Sequence, residues 1–86
     1  MMAIVDQVIE LWTASERLWE AASEDDRDFQ AAADKCGEAY AAAVQALEEG
    51  DANRAISAME RAKSYEIEGG DDQHATAALA LLEGSL

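Results

Sequence analysis

The sequence predicts an all-α fold, a small antiparallel bundle of three to four helices forming one domain over residues 1–86. Three observations predict it. Proline is absent and glycine occurs only five times, so little interrupts a helix. Twenty residues are alanine, the strongest helix former. Apolar residues recur at intervals of three and four, the period of one helix face. Composition alone pulls the other way: Leu, Ile, Val and Phe total fifteen beside a net charge of −13, a balance met in disordered chains. A disordered chain would have no reason to set Trp12 and Trp19 a heptad apart on one face, and order is the reading that accounts for them.

The first helix is expected over residues 3–22. Val5, Val8, Ile9, Trp12, Trp19 and Ala22 fall in one broad sector, with Ser15 inside it and Leu11 and Leu18 at its edge. Ser23 reads as the N-cap of a second helix over 25–49, and Glu24, Asp25 and Asp26 suit the positive end of its dipole. Phe29, Ala33, Cys36, Tyr40, Ala43 and Leu47 form an apolar seam along it. Gly50 reads as a left-handed helix stop and Asp51 as the next N-cap.

The third helix, over 52–68, turns Ala55, Ile56, Met59 and Ala62 inward, with Tyr65 or Ile67 at its end. Gly69-Gly70 closes it. Asp71 or Asp72 then caps a short fourth helix over 72–83 bearing Ala75, Ala78, Leu79, Leu82 and Leu86. Alanine buries little area per residue, so the two Trp, two Tyr and Phe29 carry much of the core, unless a homodimer completes it.

Most chemistry is excluded by residue type. Cys36 is the only cysteine and reads as a buried small hydrophobe in a reducing compartment. His74 is the only histidine, which removes support for a His-containing triad or a multi-His metal site. Asp71, Asp72 and His74 read as capping residues beside an exposed imidazole. No Glu-x-x-His pair, calcium loop or phosphate-binding glycine loop occurs. No catalytic residue, cofactor or metal is expected, and an enzyme is not. The N-terminus lacks a basic segment and reads as no signal peptide. The longest run free of charge and strong polarity, 39–44, is far too short to span a membrane, and a cytoplasmic location is expected.

Charge is the most informative feature. Nineteen acids stand against six bases, which excludes direct binding to nucleic acid or to an anionic membrane. Residues 1–28 hold eight acids and two bases, whereas 51–70 hold four and three. On the first helix Asp6, Glu10, Glu20 and Glu24 lie within a sector of about 80° opposite the tryptophan stripe. Asp25, Asp26 and Asp28 continue it, interrupted by Arg17 and Arg27. These seven acids, Asp6, Glu10, Glu20, Glu24, Asp25, Asp26 and Asp28, are the candidate partner-binding residues. The partner they suit is a basic protein surface, and they would speed its association by electrostatic steering.

Two resemblances add to this. Cys36-Gly37-Glu38-Ala39-Tyr40 resembles the first helix of a tetratricopeptide repeat, and Gly50-Asp51, Ala55, Met59 and Ala62 resemble its second. Tyr40 and Gly50 stand about six residues farther apart than in that repeat, and its closing proline is absent. Microtubule-interacting-and-transport domains share the same loose likeness. This resemblance implies an adaptor hairpin that docks partners through apolar faces. Small size, acidity, helical content and the lack of enzyme motifs are together similar to phage-encoded anti-restriction and anti-CRISPR proteins. That resemblance implies an inhibitor in the host cytoplasm, occupying the nucleic-acid-binding surface of a partner complex by mimicry. An acidic antitoxin against a basic toxin is a variant of the same idea.

Overall fold

Four helices follow one another: α1 (Ile4–Ala22), α2 (Arg27–Glu48), α3 (Ala52–Glu68) and α4 (Gln73–Gly84). The structure, a computed structural model, describes residues 3–22 and 27–85, with no strand among them. The expected all-α bundle is the observed one. The cap expected at Ser23 and the acids Glu24, Asp25 and Asp26 lie outside the described residues, as does Leu86.

Two turns of one design separate the last three helices. After α2, Gly50 takes a φ of 79°. Its N–H donates to Leu47 O at 3.1 Å, and the Asp51 N–H donates to Ala46 O at 2.8 Å. After α3, Gly70 takes a φ of 97° and donates to Ile67 O at 3.0 Å, while Asp71 donates to Glu66 O at 3.2 Å. Both are Schellman closures, whose left-handed position favours glycine. Helices α3 and α4 are therefore separate elements and not one kinked rod. Asp51 caps α3 as its sequence position predicts, its Oδ1 accepting from the Arg54 N–H at 3.0 Å. Arg54 in turn pairs with Glu49 at 2.5 Å and Asp51 at 3.9 Å across the outside of the turn.

The helices pack as a ring, each against its sequence neighbours and α4 back against α1, with α2–α3 the most extensive joint. Alanine fills that joint: Ala39, Ala43 and Ala46 of α2 and Ala55, Ala58 and Ala62 of α3 are all buried. Bulk comes from Tyr40, Met59, Leu82 and Val8. Trp12 stacks on Tyr40 with ring centroids 6.2 Å apart, and Trp19 tilts against Phe29 at 4.9 Å. The aromatic residues thus fasten α1 to α2. The radius of gyration is 12.3 Å, close to the ~12 Å of a compact chain this long.

Several inward assignments shift. Ile9 is 39% exposed and Ala22 is exposed, because α1 is seated along a narrow line through Val8 and Ser15. Ala33 and Leu47 are half-buried, whereas Ala32, Ala39, Val44 and Ala46 are buried. The cause is that α2 packs on both α1 and α3, and so buries two faces where one seam was expected. At the end of α3, Tyr65 is half-buried and Ile67 is 57% exposed. The inward position between them belongs to Glu66.

Candidate functional site

The acidic flank is a stripe on the surface. Asp6, Glu10 and Glu20 are exposed along α1, and Asp28 is exposed in the first turn of α2. Helical rise separates Asp6 from Glu10 by about 6 Å and Asp6 from Glu20 by about 21 Å. Among the described residues Asp6, Glu10 and Glu20 enter no ion pair. Exposed Arg17 stands between Glu10 and Glu20 on that side of the helix. Glu24, Asp25 and Asp26 lie outside the described residues.

The interior holds a polar cluster that no sequence motif announced. Glu66 is only 2% exposed. Its Oε2 accepts from the Ser15 hydroxyl of α1 at 2.6 Å and from the Tyr40 phenol of α2. Its Oε1 accepts from the Ala75 N–H of α4 at 2.9 Å. One carboxylate of α3 therefore collects a donor from each of the other three helices. Ala75 lies in the first turn of α4, where Asp72 makes no side-chain cap. Glu66 fills that role from another helix, and its negative charge faces the positive end of the α4 dipole. Ser15 inside an apolar sector was the one visible signal, since a buried hydroxyl needs a partner.

Tyr40 and Cys36 of this cluster are held in their protonated forms. Burial first, then the hydrogen bond to Glu66, pushes the Tyr40 phenol well above its ordinary range, so it remains a donor. Burial first, then the negative charge of Glu66, pushes the Cys36 thiol up to about 11. At neutral pH Cys36 is a protonated, 1% exposed thiol beside the Ala62 carbonyl, 3.7 Å away, and a poor nucleophile. A cleft of about 30 Å³ lined by Ser15, Trp19, Phe29 and Glu66 reaches the cluster, room for about one water. The Trp19 ring roofs it against Gly69, where a Cβ would fall 2.6 Å from Trp19 Cη2.

A second, larger depression lies between α1 and α4. It is an open groove of about 700 Å³ walled by Leu11 and Ala14 on one side and Ala77, Ala80 and Leu81 on the other. Glu10 stands on its α1 wall and His74 at the start of its α4 wall. His74 is half-buried, which differs from the exposed imidazole expected, and its Nδ1 has no hydrogen-bond partner among the described residues. No group of three or more potential metal ligands gathers among the described residues. No described helix is long and apolar enough to cross a membrane. Comparison with known protein families, with curated proteins and with solved structures finds no match.

Proposed function

We propose that this chain is a non-enzymatic binding protein that occupies a basic, nucleic-acid-binding surface of a partner complex, in the manner of anti-restriction and anti-CRISPR inhibitors. The observation that carries the reading is the contrast between the two sides of α1. Its half-buried tryptophans pack on Tyr40 and Phe29, while Asp6, Glu10 and Glu20 face solvent and, among the described residues, enter no ion pair. Exposed acids gathered on one side complement a cationic surface and speed its encounter by electrostatic steering.

Charge density supports the same reading. Thirteen net charges on a body 38 Å long give one per about 3 Å, against one per ~1.7 Å of duplex DNA. The adaptor alternative has less support, because the aromatic face it would present is already stacked on α2.

The test is capture from a bacterial lysate on the tagged full chain, eluted in steps of rising salt. The reading expects a basic nucleic-acid-handling protein released at moderate salt. It expects that protein to be absent when Glu24, Asp25, Asp26 and Asp28 are all changed to Lys. Capture that survives these reversals and high salt would overturn it.

A further inference from the structure

Helix α4 does not have the pattern of a surface helix. Ala75, Ala78, Leu79 and Leu82 are buried against the bundle, yet Ala77, Ala80 and Leu81 repeat at i, i+3 and i+4 on another face. Helices α3 and α1 cover the first of these faces, whereas on the second Ala77 and Ala80 stay exposed and Leu81 half-buried, an apolar face with room for a further neighbour. Across the groove, α1 presents Leu11 and Ala14, and the 41% exposed Leu18 continues their line by helical spacing one turn beyond it, beside the Trp19 cleft. Two such lines, with small residues on both, border the open groove, the setting in which an amphipathic helix lays its apolar face.

The charge around the groove selects which helix. Glu10 lies on its wall, Asp6 is one turn away, and residues 71–86 carry three acids and no base. A second copy of this chain would bring another −13 to the joint. We propose that the α1–α4 groove is a docking site for an amphipathic helix whose apolar stripe is bordered by Lys or Arg. This extends the proposed function, since the same negative charge chooses the partner, but it moves the apolar contact to Leu11, Ala14, Ala77 and Leu81.

The experiment uses a labelled synthetic helix of about 18 residues, five turns, built from Leu, Ala and Lys with Leu at i, i+3, i+4 and i+7. Two controls have the same Leu scattered off any stripe, or Glu in place of every Lys. Fluorescence anisotropy gives affinities, and amide shifts in ¹⁵N spectra locate the contact. The striped Lys helix is expected to bind about tenfold or more tighter than either control, with shifts at Leu11, Ala14, Ala77, Ala80 and Leu81.

The double change Ala77→Gln and Leu81→Gln sits outside the core and is checked for folding by circular dichroism. It is expected to cost about tenfold or more in affinity, while Glu20→Lys with Asp28→Lys costs under about threefold. Equal binding of the scattered peptide, with shifts confined to 20–28, would overturn the groove and leave the flank reading standing. Equal binding of the Glu peptide would overturn the charge selection. A dimer in sedimentation that dissociates on Ala77→Gln/Leu81→Gln would assign the groove to a second copy and sink the proposal. Groove binding that persists while the lysate partner ignores the acidic flank would overturn only the proposed function.

Discussion

The α2–α3 hairpin and the α1–α4 side use much the same small residues to opposite ends. Between α2 and α3, alanine meets alanine over several turns, a Schellman turn fixes the reversal, and Arg54 is paired with Glu49 and Asp51. Between α1 and α4, alanines and leucines line an open groove, and Asp6 and Glu10 beside it enter no ion pair among the described residues. Length explains part of the difference: α2 and α3 have 22 and 17 residues to register, whereas α4 has 12 against 19 in α1. Small side chains close a joint only where two backbones run together far enough. Where they do not, the same residues leave a surface. One half of the molecule is thus finished and the other is available.

Glu66 is what joins the halves, and removing it should have the largest effect. Glu66→Leu leaves the Ser15 and Tyr40 hydroxyls and the Ala75 N–H without their acceptor, at an expected cost of about 3–5 kcal/mol in urea unfolding. Glu66→Gln keeps an acceptor oxygen and should cost less than half of that. A harmless Glu66→Leu would mean that α1 and α4 are held by apolar packing alone. Next comes Gly69→Ala, whose methyl meets the Trp19 ring. It should cost about 1–3 kcal/mol and shift tryptophan emission to the red as Trp19 is pushed toward water.

Alkaline pH separates the interior from the surface with a comparable effect. Both Cys36 and Tyr40 have raised values in the fold, so the native form is the protonated one. The unfolded chain releases the Cys36 proton near 9.0, the folded chain not until about 11. Stability is therefore intact below pH 9 and falls as pH rises from 9 to 11, by about 2 kcal/mol from Cys36 alone. Cys36→Ala should flatten that slope, and an unchanged slope would contradict the burial argument. The smallest effect is Asp51→Ala, which removes one cap on the finished half and should cost about 1 kcal/mol without touching Trp emission.

Much of this architecture is legible in the residues. Gly50, Asp51 and Gly70 act locally, through φ and one or two hydrogen bonds, so their roles follow from neighbours in the chain. The inward set on α4 follows from periodicity for the same reason. Glu66 is not legible, because a glutamate in a helix ordinarily faces water and its three donors come from positions 15, 40 and 75. No spacing along one helix reveals a partnership that only the packing of four creates. The acidic flank is the reverse case: its exposure on α1 follows from the helical wheel, but a stripe of exposed acids does not specify what it meets.

Under the proposed function, the acidic side of α1 takes the place of nucleic acid on its partner. The most direct measurement is competition: the captured partner is bound to labelled nucleic acid, and this protein is titrated in at fixed salt. Displacement of the label in a one-for-one exchange, lost when Asp6, Glu10 and Glu20 become Lys, is the predicted result. A stable ternary complex holding both the nucleic acid and this protein would contradict it.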